Sequence, residues 1–262
     1  MGLAVQMYTV RDSVKDAQGF VATLQTIHNI GYRAVQLSAV GAMNGSEPQV
    51  SAAEARKILD DLGIACIATH RSWDDLVQNT QREIDFHLTL GCDFAAIGSL
   101  PSRYSSQGAA GYRQFVAEAA PVIEALTAAG IRFGYHNHAH EFEAFEEGGY
   151  RKALFDIFVQ EAPDLLLEVD VYWVQHAGLD PAALFAHCSG RTPVIHLKDK
   201  EVVAGDGPVM ASVGEGNLDW SRILPACQAA GVEWYAVEQD TCRRDPLDCL
   251  RSSFEFLQKY GL

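Results

Sequence analysis

Amphipathic stretches that end in glycine and pass at once into short apolar runs recur along this chain: IHNIGYRAVQLS, LDDLGIACIATH, LTLGCDFAAIG, LTAAGIRFGYHNH and CQAAGVEWYAVEQD. Glycine closes helices because it enters the left-handed region without a Cβ penalty. Gly31, Gly63, Gly91, Gly130 and Gly231 therefore predict five helix ends, each turning into a strand. Three more apolar runs lack that glycine: LAVQMYT at the start, DLLLEVDVYW after Pro163 and PVIHLKD after Pro193. Eight strands result. The intervening stretches carry helical periodicity, as in FVATLQTIHNI, where Phe20, Val21, Leu24, Ile27 and Ile30 share one face. Asp248 to Leu257 reads the same way.

Strand runs that are apolar on both faces suit a parallel sheet covered by helices. Eight such units match the size of an α/β fold of one kind, a single (β/α)8 TIM barrel spanning residues 1–262 as one domain. A doubly wound open sheet is the competitor, but no GxGxxG or GxxxxGK(S/T) follows LAVQMYT. The segment from Ala204 to Gly216 reads as a long loop after the seventh strand.

Charge narrows the partners. The chain has 262 residues, 34 acidic against 20 basic, for a formal net charge of −14. Without a clustered Lys/Arg stripe, neither nucleic acid nor an anionic membrane is the expected partner, because phosphate binding draws on positive charge. The longest apolar run is too short to span a bilayer and the N-terminus lacks a signal-peptide pattern, so a cytoplasmic protein is expected. Its six cysteines form no C-x-x-C pair and read as free buried thiols.

The active site of a parallel barrel lies at the C-terminal ends of its strands. Here those ends carry Gln6, Gln36, His70, Gly98, His136 with His138, Asp170, His196 with Lys198, and Glu238. Residues two apart share a side of a strand. Hence His136 and His138, Glu168 and Asp170, and His196 and Lys198 are expected to point the same way. Such a ring of imidazoles and carboxylates suits a divalent ion such as Mn, Mg, Co or Zn. Any single member has a structural reading as well. Asp170 and Glu238 are the best individual cases, since an ionised carboxylate closing an apolar strand needs a cation or several donors. In HNHAHEFE, His140 and Glu143 read as solvated loop residues, whereas alternation aims His136 and His138 inward.

The phrases GYHNHAHEFE, LEVDVYWVQHAG, GRTPVIHLKD, VGEGNLDW and YAVEQD, with the opening AVQMYTVRD, resemble the xylose isomerase-like TIM barrels that include sugar phosphate isomerases/epimerases. The group also holds ketose 3-epimerases, hydroxypyruvate isomerases, inosose and dehydroshikimate dehydratases and, more distantly, endonuclease IV. The resemblance implies a divalent metal held by Glu, Asp, His and Glu from the fifth to eighth strands. Asp170, His196 and Glu238 carry over. Where many relatives have the strand-five Glu, this chain has His136, so Glu141 is expected to reach the ion from the loop, with His136 or His138 as the alternative ligand. Trp173 stands where epimerase-like relatives have a His, which puts a two-carboxylate epimerase mechanism in doubt.

The chemistry implied is proton abstraction next to a carbonyl through an enediolate, with His138 as base and His136 as second candidate. Gln6, Gln36, His70, Trp173 and Lys198 are expected to bind substrate. A sugar isomerase/epimerase is the first expectation, with elimination from a keto-sugar, keto-glycoside or keto-inositol as the second. The expected partner is a small sugar or sugar derivative, and a homo-oligomer is left open. An endonuclease IV-like enzyme would need a basic groove, and a non-catalytic barrel would not need all three metal-type residues.

Overall fold

The computed structural model describes residues 2–188 and 190–262; residues 1 and 189 of the expected single-domain span lie outside them. In chain order the strands are β1 (Gly2–Gln6), β2 (Ala34–Leu37), β3 (Ala65–His70), β4 (Phe94–Ile97), β5 (Arg132–His136), β6 (Ala144–Glu147), β7 (Tyr150–Ala153), β8 (Leu166–Asp170), β9 (Val194–Leu197), β10 (Asp199–Val203), β11 (Gly207–Ala211) and β12 (Trp234–Val237). Eight of them close a parallel barrel in the order β1-β12-β9-β8-β5-β4-β3-β2. This is the TIM barrel expected from the repeated helix-to-strand phrase.

Local signals in the sequence account for the helices that wrap it. Asp16 caps Ala17–Ile30 by accepting from the Gly19 N–H at 2.8 Å. Ser51 and Glu54 form a capping box at the start of Ala52–Leu62, and Gly63 ends that helix at φ +64. Asp245 and Pro246 open Pro246–Gln258, two residues before the expected start. All five predicted glycines have positive φ. Gly31, at φ +131, lies beyond the left-handed helical region, and at Gly130 and Gly231 an alanine is the capping residue and the glycine follows it.

Two elements depart from expectation. The segment read as one loop from Ala204 to Gly216 contains β11, which pairs antiparallel with β10. Loop composition hid it, because a two-stranded ribbon at a barrel rim needs no apolar run. The HNHAHEFE segment likewise continues through a short turn at His140–Phe142 into the β6–β7 hairpin. No helix among the described residues is long and apolar enough to cross a membrane.

Alternation along the barrel strands sorts residues into two cores. Val5, Val35, Ile97, Tyr135, Val169, Ile195 and Val237 face the helices. Ala4, Ala34, Ala68, Phe94, Ala96, Val194 and Ala236 form a separate apolar cluster that fills the barrel. Two residues further along most of these strands the inner row turns polar: Gln6, Gln36, His70, His196 and Glu238. The β2–β3 pairing slips by one residue at Val35/Gln36, the level at which the polar row begins. A bulge of this kind re-aims the side chains beside it.

Phe94 floors the polar row. Its ring is accommodated because β5 carries glycine where the ring leans: a Cβ on Gly134 would lie 2.5 Å from the Phe94 ring. Gly134→Ala should destabilise the protein by about 1–3 kcal/mol through overpacking, read as a lower urea midpoint. Unchanged stability would show that Phe94 moves freely and does not floor the site.

Candidate active site

Asp170 ends β8, His196 lies on β9, and Lys198 and Glu238 follow β9 and β12 directly. All four are buried. Asp170 Oδ1 caps the following helix by accepting from the Trp173 N–H at 3.1 Å, which leaves Oδ2 turned inward. There Asp170, His196 and Glu238 bring one ligand atom each within 4.8 Å of one another. Asp170 Oδ2, His196 Nδ1 and Glu238 Oε2 are all buried without a hydrogen bond. His196 Nδ1 lies 2.8 Å from Glu238 Oε2. The positive charge now facing the two carboxylates is Lys198 Nζ, 2.9 Å from Asp170 Oδ2, 2.8 Å from Glu238 Oε2 and 2.9 Å from Asp240 Oδ1.

Two buried carboxylate oxygens and an imidazole nitrogen, converging with only the Lys198 ammonium against the carboxylates, form a donor set that suits a divalent cation. Two other clusters of metal-type residues differ in this respect. In His70, His136, Glu168 and His196 both carboxylate oxygens and the Nε2 atoms of His70 and His196 are already bonded to protein. In His138, His140 and Glu141 the carboxylate is fully engaged.

That engagement corrects the expectation for Glu141. The turn at His140–Phe142 folds its side chain back, where it accepts from the Tyr135 hydroxyl at 2.5 Å and the His138 N–H at 2.8 Å and pairs with His140 Nε2 at 3.0 Å. It anchors the loop and does not join Asp170, His196 and Glu238. His136 stands nearer to them, its Nε2 3.9 Å from Asp170 Oδ2.

Above lies a cavity of about 510 Å³, lined among others by Tyr8, His70, His136, His138, Lys198 and Glu238. His138 Nδ1 has no hydrogen-bond partner. Trp173 packs 5.3 Å from the His138 ring and 5.8 Å from Lys198 Nζ, a wall behind both. The expectation that Gln6 and Gln36 present amides to substrate is corrected. Neither lines the cavity. Gln6 Oε1 accepts from the Tyr8 N–H at 3.2 Å, and both ends of the Gln36 amide bond to Glu168 and His196.

Residues not singled out as site members are Glu168, Asp240, Tyr8 and Asn137. Period-two spacing from assigned residues points to the first three: Glu168 precedes Asp170, Asp240 follows Glu238 and Tyr8 follows Gln6. Asn137 accepts the Asp170 N–H at 3.0 Å, a contact with no sequence signal.

Burial and neighbours set the charges. Burial alone would raise the Glu168 carboxyl, but the His196 and His70 rings outweigh it and hold it down at about 2. Burial raises Asp170 to about 6 despite Lys198. Burial would lower His196, but Glu168 and Glu238 lift it to about 10. For Glu238, burial is outweighed by Lys198 and His196, and its carboxyl is lowered. Burial, with repulsion from His196 and His70, holds His136 well below its ordinary value; burial also lowers His138, against Glu141. Both rings are therefore neutral near pH 7.

These shifts set a stability profile for protein without metal. Glu168 and Glu238, depressed from 4.5, contribute stability that is present above 4.5 and lost as the pH falls through their folded values. His196, raised from 6.5, contributes stability that is complete below 6.5 and lost as the pH rises toward 10. Asp170, raised from 3.8 to about 6, contributes stability that is complete below 3.8 and lost as the pH rises through about 6. Chelator-treated protein should thus melt highest at about pH 5 and lower on both sides. A melting temperature that climbs steadily from about pH 5 to 9 in a buffer series would contradict these shifts.

The model of the xylose isomerase-like TIM barrel family matches residues 24–260. Among solved structures, a sugar phosphate isomerase/epimerase from Parabacteroides distasonis is 20% identical with a TM-score of 0.79, over 98% of this chain and 93% of that one. An L-ribulose 3-epimerase is 15% identical with a TM-score of 0.72, over 98% and 93%. A probable 3-DHS dehydratase from Bacillus anthracis is 12% identical with a TM-score of 0.71, over 98% and 99%. No curated protein matches the sequence. At these identities the solved structures speak for the fold, and the family match, over most of the chain, for membership: this protein belongs to the xylose isomerase-like TIM barrel family.

Proposed function

We propose that this chain is a divalent-metal-dependent sugar isomerase/epimerase that removes a proton next to a carbonyl and proceeds through an enediolate. The observation that carries the reading is the convergence of Asp170 Oδ2, His196 Nδ1 and Glu238 Oε2, buried and grouped around Lys198, beside the mouth cavity. Asp170, His196 and Glu238 would hold the ion. When bound, it supplies a positive centre for the oxygens of a carbonyl and its neighbouring hydroxyl, which acidifies the carbon-bound proton. The neutral His138 imidazole, on the cavity wall, takes that proton and returns it. His136, equally neutral and deeper, is the second candidate for proton transfer. Trp173 keeps water from one side of His138.

A second reading, elimination from a keto-sugar, keto-glycoside or keto-inositol, gains from His136 standing where an epimerase of this family would place a carboxylate. One enediolate serves both outcomes.

Charge at the cavity bears on the substrate. Lys198 is the sole Lys or Arg among its lining residues, and three carboxylates already hold it. With Lys198 beside the proposed ion and no Arg or further Lys in the lining to clamp a phosphate, an unphosphorylated sugar derivative is the better fit.

Deuterium incorporation in heavy water, screened across ketoses, keto-glycosides and keto-inositols with their phosphorylated counterparts, tests the reading whichever product forms. Exchange is expected at the carbon next to the carbonyl of an unphosphorylated member. His138→Gln should slow it by about 10²–10⁴-fold with metal content unchanged, and Asp170→Asn should abolish both metal content and exchange. Full exchange by chelator-treated protein would refute metal dependence, and faster exchange of the phosphorylated member of a pair would refute the substrate assignment.

A further inference from the structure

Glu168 is fully buried near the barrel axis, yet the proposed chemistry gives it no role. Its two oxygens are directed differently. Oε1 accepts from Gln36 Nε2 at 2.8 Å, and Oε2 lies 2.5 Å from His70 Nε2 and 3.4 Å from His196 Nε2. A carboxylate only accepts hydrogen bonds. The Gln36 amide must therefore turn its NH2 to Glu168, which leaves Gln36 Oε1 facing His196 Nε2 at 2.8 Å. That oxygen is also only an acceptor, so the proton between the two belongs to His196 Nε2. Its other ring nitrogen, Nδ1, is the one turned toward Asp170 and Glu238.

From this sequence of obligatory donors and acceptors, we infer that Glu168 and Gln36 are positioning residues that keep His196 Nε2 protonated, so that Nδ1 is the nitrogen that gives up its proton to take a cation. The inference rests on the metal-dependent reading above and adds what selects the ligating atom. His70 is held in the same way. Its Nε2 proton goes to Glu168 Oε2, and Nδ1 lies on the side of Gly98, where a Cβ would come within 3.0 Å of it. Glycine at position 98 thus leaves space for the ring orientation that Glu168 selects.

Carboxylates and carbonyls that accept the second N–H of a ligating imidazole orient the ring and raise its basicity, and their loss commonly costs about 10–100-fold in metal affinity. Here the acceptor is an amide, and a buried carboxylate sets which way that amide faces.

The test uses the full chain with isotope-labelled histidine, metal-free and loaded with zinc. Long-range proton–nitrogen NMR reports which ring nitrogens carry protons, and competition with a chromophoric chelator reports zinc affinity. His196, assigned by its absence in His196→Asn, should carry a slowly exchanging proton on Nε2 in both states and bind zinc through Nδ1. Gln36→Leu should expose that proton to fast exchange, and both Gln36→Leu and Glu168→Gln should weaken zinc binding by about 10–100-fold with circular dichroism unchanged. A folded Gln36→Leu protein with wild-type zinc affinity would overturn the inference alone. So would wild-type spectra showing zinc on Nε2, a result that needs no variant to fold. Failure of the wild-type protein to take up zinc, manganese, cobalt or magnesium would instead overturn the metal-dependent reading, and the Nε2 proton of the metal-free protein would still report on the hydrogen bonds separately.

Discussion

Buried charge inside a closed barrel is the constraint on which the rest of the site depends. Phe94 and a layer of alanines seal the barrel from below, so Glu168, Asp170 and His196 are buried away from bulk water and Lys198 and Glu238 meet it only across the mouth cavity. A buried charge without partners is costly, and its mutual attractions are stronger for the same reason. The side chains have therefore settled into a network in which Glu168 faces His70, His196 and Gln36, while Lys198 faces three carboxylates. Replacing one member by an apolar residue would leave its partners uncompensated, so the network behaves as a unit.

The buried carboxylates divide by what their oxygens meet. Asp199 accepts from the backbone N–H groups of Lys200, Gly214, Gly216 and Leu218 and from the Trp220 indole, and so ties the loop after β11 to the barrel. Glu141 does the same for the turn after β5. Asp170 is intermediate, with one oxygen on a helix N-terminus and the other facing the Lys198 ammonium. A carboxylate saturated with N–H donors supports a loop; one that keeps a lone pair free is available to a cation. Composition alone does not distinguish the two.

The histidines divide in a similar way. His70 and His196 each have a ring nitrogen bonded within the protein, whereas Nδ1 of His136 and of His138 has no partner. The first pair is oriented by the scaffold. The second is neutral through burial and free to exchange a proton, and the Trp173 ring beside His138 limits access from one side.

Local pattern was enough to read the strands, the helix ends and the convergence of Asp170, His196 and Glu238 at one end of a barrel. Hydrophobic periodicity and glycine caps are properties of neighbours in the chain, and a parallel barrel places all strand ends together. The alternation rule also assigned Glu168 and Asp170 to one face, since that rule needs no tertiary information. It could not say that Gln36 meets Glu168 across 132 positions, or that His196 meets Gln36 across 160. Those contacts follow from the stagger at which eight strands close, together with the bulge beside Gln36. The place of Glu141 was equally hidden, because a three-residue turn decides whether a loop carboxylate reaches forward to an ion or back to its own backbone. The sequence by itself determined which residues face inward; the tertiary structure decided which atom each of them meets, because partner choice depends on strands that are adjacent only once the barrel is closed.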